Sequence, residues 1–236
     1  MVKNHYSRDK FINGSILLID KPNNWTSFQL VNKIRWLIKK KFNLKSIKIG
    51  HAGTLDPLAK GLMIIASGKK TKQIINYQNL DKTYVGKFML GSTTESYDLE
   101  TPINKTFNVD HISLEELSQV KKKFLGIIKQ TPPIFSAIKK DGKRLYEYAR
   151  NNEKVLIPKR EIEIRKLDLD IQNFPEIKFI VECTKGTYIR SLVNDIGKSL
   201  NSGAHLTSLC REKIGDYTLK DAMSIDNFEK ILNFNI

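Results

Sequence analysis

Two short apolar runs constrain the fold more than any other feature of the sequence. SILLID at 15–20 and LMIIAS at 62–67 are apolar at their central positions, so each predicts a short buried strand. Segments with apolar residues at helical spacing occur between and after them, but strands and helices do not alternate regularly. This mixture predicts an α+β fold with a mixed, mostly antiparallel sheet flanked by helices and loops.

Other elements follow from periodicity and capping signals. Thr26 and Ser27 precede a helix with apolar residues at helical spacing, and Ser113 with Glu116 opens another that ends near Gly126. Further patterns predict a short helix in TKQIINYQN, strands in KTYVGKFML, EIEIRKLDLDI and EIKFIVEC, a helix in TYIRSLVNDIGKSL, and a last helix from about Ser224. Residues 130–152 predict a mostly irregular, mobile loop that ends in a short helix at 146–150.

The charge balance indicates the kind of partner. The net charge is +15, from 40 Lys and Arg against 25 Asp and Glu, which favours nucleic acid first and a membrane surface second. A compositional bias of the genome is the alternative. The two cysteines form no C-x-x-C pair, and no apolar run is long enough for a signal peptide or a membrane span. These features predict a cytoplasmic protein without membrane contact.

The sequence lacks the motifs of several other classes of enzyme and binding site. ASGKKT resembles a phosphate-binding loop, but Met63 stands where that motif requires glycine. There is no G-x-S-x-G elbow for acyl transfer. The histidines have no metal-ligand spacing, so no metal site is predicted; they are His5, His51, His111 and His205.

GHAGTLDPLAKG at 50–61 places one acid, Asp56, among glycines and small residues, directly before Pro57. Proline fixes its own φ and disfavours helical geometry at the preceding residue. Gly50 and Gly53 permit turns that are closed to other residues and let another molecule approach the backbone. The segment therefore predicts a carboxylate held in one pose. An ordinary Asp-Pro turn that caps a backbone amide is the alternative, and taken alone the residues favour it.

Two further features favour a functional carboxylate. Arg190 begins a helix after a glycine turn, where it could pair with Asp56 across a cleft and orient it. An ordinary Asp, with a pKa of about 3.9, is already ionised at neutral pH. Tyr84 and Tyr188 each follow a Thr within basic segments and suit base stacking, although each alone fits core packing better.

Taken together, these segments resemble the bacterial tRNA pseudouridine synthase B family. The resemblance rests on GSILLIDKPNNWTS (14–27), GHAGTLDPLAKGLMIIASGKKTK (50–72), DKTYVGKFMLGSTTESYD (81–98), QTPPIFSAIKKDGKRLYEYAR (130–150) and TKGTYIRSLVNDIGKSLNSGAHLTSLCR (184–211). It implies a pseudouridine synthase fold with a central RNA-binding cleft. It also implies a tRNA pseudouridine-55 synthase, an isomerase that flips out the T-loop uridine of tRNA.

The resemblance also implies residue roles. Asp56 matches the catalytic aspartate, Arg190 the arginine that pairs with it, and Tyr84 the tyrosine that stacks on the target base. His51, Tyr188, Leu209 and Lys21 match substrate-binding positions. The family uses neither a metal nor an organic cofactor.

Residues 131–160 resemble the family's RNA-gripping loop. Its cations Lys139, Lys140, Lys143 and Arg144 lie near a glycine turn, and RNA contact is favoured over a merely solvated charged loop. The predicted catalytic domain is 1–220, followed by a short tail at 221–236 in place of the PUA-type RNA-binding domain of longer members.

We therefore expect a monomer that acts on the T-arm stem-loop of tRNA. A non-catalytic tRNA-binding or RNA-folding protein on the same scaffold is the alternative.

Overall fold

The computed structural model describes residues 6–151 and 153–234. His5, Asn152 of the predicted RNA loop and the last two residues of the predicted tail lie outside this range. The described strands are β1 (Ile16–Lys21), β2 (Ile49–His51), β3 (Ala59–Ser67), β4 (Lys82–Leu90), β5 (Ser92–Thr94), β6 (Ile103–Thr106), β7 (Gly126–Gln130), β8 (Lys139–Lys140), β9 (Lys143–Arg144), β10 (Arg160–Asn173), β11 (Glu176–Cys183), β12 (Ala204–Ile214), β13 (Tyr217–Thr218) and β14 (Met223–Ser224). The described α-helices are α1 (Arg8–Asn13), α2 (Ser27–Phe42), α3 (Ile74–Gln78), α4 (Leu114–Phe124), α5 (Leu145–Arg150), α6 (Ile189–Ser199) and α7 (Ile225–Phe234), with 3-10 turns at Gly68–Gln73 and Leu219–Asp221.

The chain divides into two compact units, residues 1–84 with 210–236 and residues 85–209. The boundary falls within β4 and within β12. Residues after 220, including α7, group with the first unit. The predicted division into a catalytic domain at 1–220 and a tail, and the predicted RNA-binding cleft, remain predictions.

In the first unit, β1 lies between two partners. It is antiparallel to β3, with Leu18 opposite Ile64, and parallel to β14, with Ile19 opposite Met223. β2 also pairs with β3, antiparallel. The apolar run of β3 is buried throughout and that of β1 at Leu17 and Ile19. The predicted core positions of α2 are also buried: Leu30, Val31, Ile34, Leu37 and Ile38.

In the second unit, the long strand β10 pairs antiparallel with both β11 and β7. Phe88 of β4 and Phe179 of β11 pack with their ring centroids 6.0 Å apart. The buried side of α6 includes its predicted apolar positions, from Ile189 to Ile196. The two units together confirm the predicted α+β fold with a mixed sheet.

The structure differs from the sequence predictions mainly in short or polar elements. Residues 131–151 contain the β8–β9 hairpin besides the predicted helix α5, so they are less irregular than expected. Asp141 and Gly142 both have positive φ, as a tight hairpin turn requires. The patterns also do not predict α1, β5, β6, β7 or β12. Every described residue of β6 is exposed, so it carries no alternation signal.

Within the part of the chain that the structure describes, each helix is too short or too polar to cross a membrane.

Candidate active site

Asp56 lies in the turn that joins β2 to β3 in the first unit. The side chain is half-buried, and its backbone carbonyl accepts a hydrogen bond from the N–H of Ala59 at 3.1 Å. The preceding residue, Leu55, is tied to the first residue of α2. The Ser27 hydroxyl donates to the Leu55 carbonyl and accepts from the Leu55 N–H, both at 2.8 Å. The turn is therefore fixed on both sides of the carboxylate.

Lys21 supports this turn from inside the protein. It is 0% exposed, and its ammonium donates to the carbonyl groups of Pro22 (3.0 Å), Trp25 (2.5 Å) and Pro57 (3.4 Å). Burial lowers the pKa of Lys21 to about 8, and the nearby Asp56 carboxylate opposes that shift. This geometry favours support of the turn over the predicted contact with substrate, because the ammonium points at backbone oxygens in the interior.

Arg211 of β12 holds the other end of the turn and is not among the predicted site residues. Its side chain is 1% exposed and donates to the carbonyl groups of Leu62 (2.8 Å), Gly53 (3.1 Å) and Thr54 (3.4 Å). Gly61 allows the backbones to approach, since its φ is +108° and a Cβ there would lie 2.4 Å from the Arg211 carbonyl oxygen. No local motif signals such a role for one arginine in a basic chain.

His51 ends β2 beside the turn. Burial lowers its pKa and the charge of Arg211 acts in the same direction, while the backbone at Gly53 opposes them. Its Nδ1 is buried and has no hydrogen-bond partner among the described residues. His51 is therefore a neutral ring at pH 7, which suits contact with an uncharged group.

The charge around Asp56 is distinctive. It is the only Asp or Glu in residues 21–80. That segment contains twelve cations: Lys21, Lys33, Arg35, Lys39, Lys40, Lys41, Lys45, Lys48, Lys60, Lys69, Lys70 and Lys72. The positive charge of this segment therefore attracts a polyanionic ligand.

Arg190, at the start of α6 in the second unit, is 3% exposed. It donates to the carbonyl groups of Ser96 (3.0 Å) and Phe135 (2.9 Å), and its Nε lies 3.5 Å from Oδ2 of Asp98. Asp98 is thus a buried partner of Arg190 that the sequence reasoning did not identify. The predicted pairing of Arg190 with Asp56 joins residues of different units and remains a prediction.

The predicted pocket residues are mostly buried. Tyr84 lies in β4 on the same face as Phe88 and Leu90, as its alternation predicts, and Leu209 is also buried. Tyr188 immediately precedes α6, where its backbone N–H and carbonyl both bond to the side-chain amide of Gln130, at 2.8 and 3.0 Å. The Tyr188 backbone is therefore fixed to β7.

The cations of the predicted RNA loop make contacts of their own. Lys140 donates to the Leu156 carbonyl at 2.7 Å, and Lys143 pairs with Glu153 at 2.6 Å. The guanidinium of Arg144 lies 6.0 Å from the ring centroid of Tyr146, and Lys139 is exposed. These contacts order the β8–β9 hairpin; RNA contact by the four cations remains a prediction.

The described residues contain no cluster of His, Cys, Asp and Glu side chains that could hold a metal ion.

Comparison with known proteins gives consistent matches. Residues 39–189 match the model of the TruB family pseudouridylate synthase (N terminal domain). The chain is 53% identical over 225 residues to tRNA pseudouridine synthase B of Flavobacterium johnsoniae, covering 95% of this chain and 98% of that protein. The corresponding protein of Phocaeicola vulgatus is 49% identical over 223 residues, covering 94% and 95%. A chain of a Cbf5-Nop10-Gar1 complex has a similar structure, with a TM-score of 0.68 and 26% identity over 97% of this chain and 57% of that chain.

Proposed function

The chain belongs to the TruB family of pseudouridylate synthases, and from this we propose that Asp56 is the carboxylate with which it isomerises the T-loop uridine of tRNA. It is an isomerase that acts on RNA and makes pseudouridine in tRNA. Residues 1–220 are the proposed catalytic domain. In this proposal the chain works as a cytoplasmic monomer.

One observation carries the assignment of Asp56. The sole acid of a sixty-residue basic segment sits in a turn held by Ser27, Lys21 and Arg211. Such a turn keeps the carboxylate in one place while RNA is attracted around it. An ordinary capping aspartate would need neither the two buried cations nor this isolation from other acids.

The reaction requires an ionised carboxylate at the ribose. The bond between the ribose and N1 of uracil breaks, the base turns, and a new bond forms from the ribose to C5, which gives up its proton while N1 gains one. Asp56 serves this by attacking the ribose carbon or by removing a ribose proton. Both routes need the charged form.

The remaining site residues have supporting roles in this proposal. Arg190, held by Asp98, orients Asp56, and Tyr84 stacks on the flipped base, which returns about 1–3 kcal/mol of the cost of unstacking. Tyr188 and Leu209 line the uracil pocket and neutral His51 lies against the extruded nucleotide. The loop cations Lys139, Lys140, Lys143 and Arg144 contact the phosphates of the T arm.

Asp56→Asn tests the proposal, because it keeps the shape of the side chain and removes its charge. We expect this variant to bind an unmodified T-arm stem-loop with wild-type affinity and to form no pseudouridine at any position mapped at single-nucleotide resolution. Asp216→Asn, the same change at an exposed position of the first unit, is the control and should retain activity. Product formed by Asp56→Asn at the wild-type rate would overturn the assignment and favour a binding role for this turn.

A further inference from the structure

The outer face of α2 combines exposed aromatic rings with lysines. Phe28 is 71% exposed and Trp36 is 50% exposed, although both belong to a helix whose other side is in the core. Lys40 follows Trp36 by one turn and is also exposed. We call Phe28, Lys33, Trp36, Lys39 and Lys40 the α2 surface.

Two of the three lysines of this surface, Lys33 and Lys40, are held in place by the indole ring. The ammonium groups of Lys33 and Lys40 lie 5.0 and 4.9 Å from the ring centroid of Trp36. Such contacts stabilise a side-chain position by about 0.5–1 kcal/mol at exposed sites. Lys33 also pairs with Glu229 of α7 at 2.9 Å, whereas no ion pair is seen for Lys39 or Lys40 within the described residues. Two cations are thus ordered on a solvent-facing aromatic side chain.

The charge of this region is of one sign. Residues 21–55 contain eight Lys and Arg and no Asp or Glu. The last turn of α4 also contains three lysines, but two acids, Glu115 and Glu116, lie in its first turn. Favourable charge at a helix end accounts for the last-turn lysines of both helices, so what distinguishes α2 is the absence of acids and the exposed rings beside its lysines.

The α2 surface starts beside the candidate active site. Ser27, the first residue of α2, bonds directly to Leu55, which precedes Asp56. From Phe28 to Lys40 the helix rises by about 18 Å, at 1.5 Å per residue. An RNA with its target nucleotide at Asp56 can therefore continue along this face.

We propose that the α2 surface binds the sugar–phosphate backbone of the RNA that flanks the target uridine. Lys39 and Lys40 contact phosphates, Trp36 orders Lys40, and Phe28 offers an apolar ring to the nucleotide next to the target. RNA is the occupant that fits best, because the surface has excess positive charge and aromatic groups and lies beside a site for RNA chemistry. The inference rests on the proposed function for the identity of that RNA and for the position of its target nucleotide at Asp56.

The test compares two pairs of lysines in helix-terminal turns. Lys39→Gln with Lys40→Gln alters the α2 surface, and Lys122→Gln with Lys123→Gln removes equivalent charge from the last turn of α4. The dissociation constant of an unmodified T-arm stem-loop is measured for each as a function of salt, with kcat and KM. We expect the α2 pair to reduce the slope of log K against log salt by about 1.8, or 0.9 per lost phosphate contact, and to raise KM without changing kcat. The α4 pair should keep the wild-type slope and KM.

A third variant, Trp36→Ala, keeps every charge and removes the ring that orders Lys33 and Lys40. We expect two- to fivefold weaker binding, about 0.5–1 kcal/mol, with an unchanged salt slope. The proposal would be overturned if the α2 pair kept the wild-type salt slope and KM. It would also be overturned if the α2 and α4 pairs reduced the salt slope and raised KM equally. If the α2 pair bound the stem-loop normally and lost only its binding to phosphatidylserine vesicles, the occupant would be a membrane and the proposal would be overturned. Failure of the wild type to make pseudouridine would instead overturn the proposed function, whatever the slopes.

Discussion

Lys21 and Arg211 illustrate how buried cations can fix a turn. Removing a charge from water costs several kcal/mol, so each side chain must find acceptors inside the protein. Each donates to three backbone carbonyl groups, and three of these six belong to residues 53–57. Each of those carbonyls that turned outward would take a hydrogen-bond acceptor away from a buried cation. The backbone on both sides of Asp56 is held by this requirement.

Replacing Arg211 tests this role. Lysine keeps the charge but lacks the planar fork that reaches the Gly53 and Thr54 carbonyls together. We expect Arg211→Lys to fold and bind tRNA, with kcat lowered by roughly 10- to 100-fold, because a misplacement of about 1 Å at a reacting group can cost that much.

Arg211→Met, which leaves three carbonyl groups without their donor, should also lower the melting temperature. Measuring kcat, KM and melting temperature on each variant separates positioning from stability. A wild-type kcat in Arg211→Lys would show that the turn holds Asp56 without the fork.

Local rules predict a fixed pose for Asp56 but not the residues that support it. Pro57 and Gly53 restrict the turn within a few residues of the carboxylate, so the sequence alone indicates a fixed pose. The family resemblance implies that Lys21 contacts substrate, and since lysine is rarely fully buried, no local pattern predicts its support of the turn. Arg211 and Asp98 act through partners far along the chain, which no local pattern reveals.

At the scale of elements, contacts at the beginnings of α2 and α6 position candidate site residues. Ser27 ties the start of α2 to Leu55, and Gln130 of β7 ties the backbone at Tyr188 just before α6. Since a helix is rigid beyond its first turn, these contacts fix the side chains next to them. The start of α2 is thus part of the Asp56 turn as well as a helix cap.

Ser27→Ala should therefore affect both stability and turnover. It leaves the buried N–H and carbonyl of Leu55 without a partner, which costs about 1–3 kcal/mol of unfolding free energy. We also expect a lower kcat per folded molecule. Ser113→Ala is the matched control: it removes the cap of α4, costs about 1 kcal/mol and should leave kcat unchanged. Denaturant unfolding and steady-state kinetics measure the two effects, and identical kcat values in both variants would contradict the link to Asp56.

The elements that periodicity predicts are those with one buried face. α2, β10 and β11 show clear helical or alternating patterns and form where expected. The patterns do not predict β12, because burial does not alternate along this strand and two of its buried residues, His205 and Arg211, are polar. One of these two buried polar residues, Arg211, also supports the site.

At the scale of the whole molecule, charge determines how RNA is attracted. Several acids are already paired with lysines, including Glu176 with Lys87 at 2.9 Å and Asp168 with Lys121 at 3.2 Å. The net charge of +15 therefore belongs to cations in excess of such pairs. Their attraction acts over roughly 10 Å at 0.1 M salt and weakens as salt increases.

Salt should consequently act on binding and leave the chemical step unchanged. Each phosphate contact contributes about 0.9 to the slope of log affinity against log salt, so even two contacts give about a tenfold loss between about 50 and 200 mM. We expect KM for a T-arm stem-loop to rise by at least that factor, while kcat stays constant because Asp56 is held by buried groups that salt does not screen. Steady-state kinetics in a series of potassium chloride concentrations, repeated with potassium glutamate to detect effects specific to chloride, checks this. A parallel fall of kcat would mean that salt also reaches the reacting groups, and a constant KM would mean that the excess charge does not hold the RNA.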